Sequence, residues 1–150
     1  MQINELMVKE VIAIREDDRI QSLIQTMLTH KIGGVPVLND KNQLVGFVSD
    51  GDVLRAVAPK PQTIYEFYTM ISAVEVELTY DKIKGLLNKK VKDFMKKGRL
   101  QTVFFNQDLD AVLKILSHHR FKKIPVIDNE RRVVGIVSRG DVIQYIGSLL

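Results

Sequence analysis

Two short segments place a hydroxyl three residues ahead of a carboxylate: Ser49-Asp50-Gly51-Asp52 and Ser138-Arg139-Gly140-Asp141. Each follows an apolar run that reads as a buried strand, and each opens a helix, so hydroxyl and carboxylate share one strand-to-helix turn. A carboxylate accepts hydrogen bonds from two neighbouring hydroxyls at once, and ribose carries such a pair. The serine hydroxyl suits a ribose or phosphate oxygen, and free backbone N–H groups at a helix start favour an anion. The same residue types also serve simply as helix caps, Ser-x-x-Asp being a cap pattern in its own right.

Other chemistry is poorly supplied. His118 and His119 are adjacent, so on a helix they point about 100° apart, and no carboxylate stands four residues on, which argues against a metal site. Asp17-Asp18 and the Asp108/Asp110 pair read as helix starts. The chain has no Ser-His-Asp arrangement, no Gly-x-x-x-x-Gly-Lys loop and no nucleophile elbow, so no enzymatic activity is expected.

The elements that must position these turns come in duplicate. Residues 35–54 and 124–143 align without a gap at an offset of 89, with identities at Pro36/Pro125, Val37/Val126, Val45/Val134, Gly46/Gly135, Val48/Val137, Ser49/Ser138, Gly51/Gly140, Asp52/Asp141 and Val53/Val142. Two copies predict pseudo-twofold packing of one half on the other; a solenoid needs about three. In the first copy, Val11 to Ile14 predicts a strand, and Asp17 or Asp18 a cap. Ile20, Leu23, Ile24, Met27 and Leu28 predict a helix with one buried face that ends at Gly33-Gly34. Val35 to Leu38 and Leu44 to Val48 predict a hairpin, followed by a helix from about Gly51. The second copy predicts a strand at Thr102 to Phe105, a cap at Asp108, a buried stripe of Leu109, Val112, Leu113 and Leu116, strands at Ile124 to Ile127 and Val133 to Val137, and a last helix from Gly140 towards Leu150. The fold class is therefore α/β: two tandem β-α-β-β-α repeats, residues 1–57 and 91–150, separated by a helical insertion over 58–90. Ala58-Pro59-Lys60-Pro61 stops the first repeat. Ile64, Phe67, Tyr68 and Ile71, then Ile83, Leu86, Leu87, Val91, Phe94 and Met95, predict insertion helices that pack, as a structural cap on the sheet or, alternatively, as a lid or dimer surface.

Bulk properties fit a folded soluble domain. The chain has 150 residues, 45% hydrophobic and 27% charged, with no cysteine and a formal net charge of +4. It carries no disulfide framework, and neither a signal peptide nor an apolar run of about 20 residues is expected, which points to the cytoplasm. The basic stretch Lys89 to Lys97 is interrupted at helical spacing and reads as a solvated helix face.

The doubled pattern Val35-Pro36-Val37-Leu38-Asn39 … Leu44-Val45-Gly46-Phe47-Val48-Ser49-Asp50-Gly51-Asp52-Val53, with its second copy, resembles the signature of the cystathionine-beta-synthase (CBS) domain. Val91-Lys92-Asp93-Phe94-Met95 resembles that domain's opening helix, and Asn4 to Met7 is a looser version. The resemblance covers residues 3–57 and 91–147. It implies a tandem pair, or Bateman module, that binds AMP, ADP, ATP or S-adenosylmethionine in clefts between the halves, needs no cofactor, forms a flat homodimer, and signals occupancy by a change of shape to a partner protein or the dimer interface. It also implies sites. The first would use Ile14, Val35, Pro36, Ser49 and Asp52; the second Thr102, Val103, Ile124, Pro125, Ser138 and Asp141. The aspartates would hold ribose, and the residues around proline the base.

The two sites differ in their surroundings. His119, Arg120, Lys122, Lys123 and Arg139 lie around the second, against His30, Lys31, Gly33, Gly34 and Asp50 at or near the matching places of the first. Arg139 for Asp50 exchanges a phosphate fork for a repelling carboxylate. The second site is therefore expected to prefer a phosphorylated ligand, aided by Lys123 and Arg139, and the first to stay empty or take an uncharged adenosyl group; alternatively, these cations simply point to solvent. The alternative is a nucleic-acid-associated regulator using the basic linker, whose binding would be steeply salt-dependent.

Overall fold

A computed structural model describes residues 1–58, 72–95, 100–118 and 120–150. Pro59, Lys60, Pro61, Ile64, Phe67, Tyr68, Ile71, Lys96, Lys97 and His119, which the sequence singled out, lie outside the described residues.

Each half is a three-stranded mixed sheet. In the first, β1 (Ile14–Arg15), β2 (Gly34–Leu38) and β3 (Leu44–Ser49) lie in the order β1-β2-β3. β1 runs parallel to β2 with Ile14 opposite Val37, and β2 and β3 form an antiparallel hairpin with Gly34 opposite Ser49. The second half repeats this with β4 (Val103–Phe104), β5 (Lys123–Ile127) and β6 (Val133–Ser138), Val103 opposite Val126 and Lys123 opposite Ser138. Among the described residues the helices are α1 (Ile3–Leu6), α2 (Ile20–His30), α3 (Asp50–Val57), α4 (Ser72–Leu87), α5 (Val91–Phe94), α6 (Leu109–Leu116) and α7 (Arg139–Gly147). The two-copy α/β reading therefore holds, and the insertion is helical over Ser72–Leu87.

Several local expectations differ. The first strand of each copy is two residues long and begins later than its apolar run, because only Ile14–Arg15 and Val103–Phe104 reach a neighbouring strand. The cap of α2 is Arg19, without a side-chain bond; Asp18 instead accepts from the Arg15 amide at 3.0 Å and closes the turn before the helix. Helix α2 ends not at the Gly33-Gly34 pair but at Lys31, which adopts the left-handed conformation (φ 53, ψ 47) and donates its amide to the Met27 carbonyl. Lysine carries a small strain there and releases Gly34 to open β2. Leu28 and Leu113, expected on buried faces, are 72% and 40% exposed, each at the border of its helical stripe.

The packing units are not the sequence repeats. Helix α1 opens the first repeat, yet the Ile3 amide donates to Gln107 O and the Asn4 amide to Phe105 O (2.9 and 3.0 Å), while Val8 and Ile136 exchange both backbone bonds (2.9 and 3.0 Å). Ile3 has no exposure and lies in one core with Val103, Val112, Ile124 and Val137. Helix α5 does the converse. The Val91 amide donates to Asp18 O at 2.8 Å and the Lys92 amide to Glu16 O at 2.9 Å, and Val91 and Leu86 are buried in the first core with Leu23, Met27 and Val35. Each half is thus completed by the helix that opens the other.

The swapped segments place a methionine over each hairpin glycine. A Cβ at Gly46 would meet only the Sδ end of Met95 at close range, with Cγ 3.6 Å away. At Gly135 it would meet Met7 along its length, Cγ at 2.7 Å and Cβ at 3.0 Å as well as Sδ. A thioether tip moves cheaply, but a Cβ moves only with its backbone. Gly135→Ala should therefore lower stability by about 1–3 kcal/mol and Gly46→Ala by distinctly less; urea unfolding with equal costs for the two would refute the difference.

Candidate functional site

The register brings the candidate residues to one end of each sheet. Ser49 ends β3 opposite Gly34, and Ser138 ends β6 opposite Lys123. Because β1 and β4 run parallel to their neighbours, residues 12–13 and 101–102 approach the same end, alongside the starts of β2 and β5.

At that end both Ser-x-x-Asp segments form capping boxes. In the first, the Ser49 amide and hydroxyl donate to Asp52 Oδ2 (2.9 and 3.1 Å), and the Asp52 amide donates back to Ser49 Oγ at 3.3 Å. In the second, the Ser138 amide and hydroxyl donate to Asp141 Oδ2 (2.7 and 2.8 Å), and the Asp141 amide returns 3.3 Å to Ser138 Oγ. Helix capping, the alternative raised from the sequence, is therefore realised in both copies. It occupies one oxygen of each carboxylate and leaves Oδ1 as the acceptor for any ligand.

The outer oxygens differ. Arg55 Nη2 donates to Asp52 Oδ1 at 2.7 Å, an ion pair in which Arg55 is 64% and Asp52 23% exposed. Asp141 Oδ1 accepts no hydrogen bond among the described residues, and Gln144 stands where Arg55 would. Arg55 is not among the residues singled out from the sequence, although a base three residues after an acid on a helix is a readable pairing signal. Partial burial pushes the Asp52 carboxyl up, but hydrogen bonds from the Ser49 amide, the Arg55 guanidinium and the Ser49 hydroxyl outweigh it and hold the group below the ordinary aspartate value. A carboxyl whose folded pKa is depressed contributes stability that is complete above the unfolded value of about 3.9 and is lost as pH falls through the folded value. Asp52→Asn should therefore flatten the acid limb of the stability curve below about pH 5; unchanged acid slopes in urea titrations would count against it.

The remaining candidates are placed less favourably for direct contact. Val35 and Ile124 have no exposure, Ile14 and Val103 are 5% and 2% exposed, and Pro36 and Pro125 are buried. Ile14 and Val35 belong to the first core, and Val103 and Ile124 to the second. Thr102 and Lys123 are half-buried. Arg139 is exposed, but its guanidinium is engaged: Nε donates to Phe121 O at 3.1 Å and Nη2 to His118 O at 2.8 Å. It ties α7 to the loop before β5 rather than standing as an open fork. Asp50 accepts from the Gly51 amide at 2.7 Å. Two hollows of about 580 and 550 Å³ adjoin the second half; the first includes Thr102 and Val103, the second Gln101 and Phe121, and neither is lined by Ser138 or Asp141.

Lys92 of the basic stretch pairs with Asp17 at 3.0 Å, so part of that charge is neutralised within the fold. Among the described residues no three His, Cys, Asp or Glu side chains gather as a metal site, and no helix is long and apolar enough to cross a membrane.

Comparison with known proteins gives a consistent picture. The CBS domain family matches residues 3–59 and 91–148. The uncharacterized protein MJ1426 of Methanocaldococcus jannaschii is 29% identical over 154 residues, covering 96% of this chain and 90% of that protein. In inosine-5'-monophosphate dehydrogenase of the same organism, a 28% identical match takes up only 23% of the protein, so a similar unit also sits inside an enzyme. Among solved structures, CBSX2 in complex with AMP superposes with a TM-score of 0.72 at 22% identity, covering 99% of this chain and 97% of that one; CBSX2 comes from Arabidopsis thaliana. The CBS domain pair of MJ0100, in complex with 5-methylthioadenosine and S-adenosyl-L-methionine, gives 0.71 at 21% identity, covering 100% and 98%.

Proposed function

This chain belongs to the CBS domain family as a tandem pair, and we propose that it is a regulatory module that binds an adenosine-type ligand at the Ser-Asp turns and signals occupancy through a change in how its halves pack. The observation that carries this is the second turn. There, a half-buried carboxylate is oriented by two donors on Oδ2 and keeps Oδ1 for a sugar hydroxyl. The structures solved for CBSX2 with AMP and for the MJ0100 pair with 5-methylthioadenosine and S-adenosyl-L-methionine support the ligand class.

In this reading Asp141 and Ser138 hold ribose, Thr102 and the backbone before β4 face the base, and Lys123 serves a phosphate. Arg139 supports the loop wall, and the buried residues around Pro36 and Pro125 set the shape. The second site takes the phosphorylated ligand, and the module is cytoplasmic and not catalytic. Self-association belongs to the same reading: Leu54 on α3 and Ile143 on α7, at equivalent positions of the two copies, are 66% and 67% exposed, with Ile146 and Leu149 beside Ile143, an apolar face suited to a second copy of the chain.

The test is a thermal-shift panel of AMP, ADP, ATP, S-adenosylmethionine, NAD and cyclic dinucleotides. A ligand that binds only the folded chain adds about 2.7 kcal/mol of stability at a hundred times its Kd. An adenosyl compound should raise the melting temperature; a flat response across the panel at millimolar concentration would overturn the reading.

A further inference from the structure

The two Ser-Asp turns are built alike down to the hydrogen bonds on Oδ2, which makes the difference at Oδ1 informative. Arg55 lies one helical turn beyond Asp52 and donates to its outer oxygen at 2.7 Å. At the equivalent place after Asp141 the chain has Gln144, and Asp141 Oδ1 is unengaged among the described residues. A vicinal diol is best served by that oxygen, because Oδ2 already accepts from the serine amide and hydroxyl in both copies.

We propose that Arg55 is the specificity-determining residue that sets the two clefts apart: by holding the outer oxygen of Asp52 it makes a ribose diol compete with an internal ion pair at the first cleft, while Gln144 leaves the second open. The inference rests on the nucleotide reading above and adds to it which cleft fills first, and why. Exposed ion pairs are weak, so the competition amounts to about two- to fivefold in affinity, not to closure. Arg55 is also free to swing toward solvent, being 64% exposed. An anionic ligand that offers Arg55 a phosphate in exchange would lose less at the first cleft than an uncharged nucleoside does.

Adenosine is therefore the discriminating probe, since it carries the diol without a phosphate to attract Arg55. The backbone amides of Gly51 and Gly140 lie inside the two turns, so their NMR shifts report each cleft separately. In the unaltered chain, Gly140 should reach half-saturation at a lower adenosine concentration than Gly51. Arg55→Gln should lower the Gly51 midpoint about two- to fivefold and leave Gly140 in place, and Gln144→Arg should raise the Gly140 midpoint by a similar factor. Both side chains are at the surface, and thermal unfolding checks that the fold is intact. A Gly51 midpoint that stays put or rises in Arg55→Gln, with adenosine still binding, overturns the role of Arg55 and leaves the nucleotide reading standing. No movement of either glycine with adenosine or AMP in any variant overturns the nucleotide reading itself.

Discussion

Asp141→Ala should weaken AMP binding roughly ten- to hundredfold in isothermal titration, the size of one or two lost hydrogen bonds to a charged acceptor. The residue has two duties, and the experiment must separate them. Its Oδ2 closes the box with Ser138, so alanine also costs about 1 kcal/mol at the start of α7. Asp141→Asn keeps an oxygen for the cap but removes the charge, and its affinity should fall between the two. Asp52→Ala removes an acceptor already held by Arg55 and should cost AMP binding less. Equal losses for the two alanine variants would remove the asymmetry between the sites. Unchanged affinity in a folded Asp141→Ala protein would reduce the turn to a helix cap.

Ile3→Ala should destabilise the second half by about 2–5 kcal/mol, although Ile3 stands at the opposite end of the sequence. Its side chain has no exposure and packs against Val103, Val112 and Ile124, all of which remain when it is trimmed, so the cavity cannot easily collapse. Hydrogen exchange should show the loss at the amides of α6 and β5. Faster exchange confined to residues 14–49 would mean that α1 serves the first core instead.

These two results test different depths of what the sequence discloses. The hairpins and the turns after them were legible because an ungapped 89-residue offset ties apolar period, proline and Ser-x-x-Asp together, and no competing pattern fits both copies. The swap was not legible. Ile3 and Val91 announce helices with one apolar face, but an apolar face does not name the core it joins. Only backbone pairing such as Val8 with Ile136 does that. The end of α2 was misplaced because a glycine pair is the stronger statistical stop, whereas Lys31 accepts the left-handed turn. At the site, residue types identified the carboxylates and hydroxyls, but not their prior commitments. Residue type does not disclose that Arg139 bonds the His118 and Phe121 carbonyls, or that Val35 and Ile124 have no exposure.

The two hairpins also meet at their tips. The Leu44 amide donates to Arg131 O at 2.9 Å, Gln43 bridges Arg132, and Gln43 Nε2 reaches Glu130 O at 3.1 Å. In the proposed signalling such a joint would serve as a pivot. Strand β3 runs from this joint to Ser49, about 17 Å at some 3.3 Å per residue, so a tilt of a few degrees between the sheets is a negligible displacement at the tips and a shift of about an ångström at the far end of the lever arm. Under the proposed function the same geometry would run in reverse: a small molecule wedged at the far end would act with the full length of the strand as its mechanical advantage.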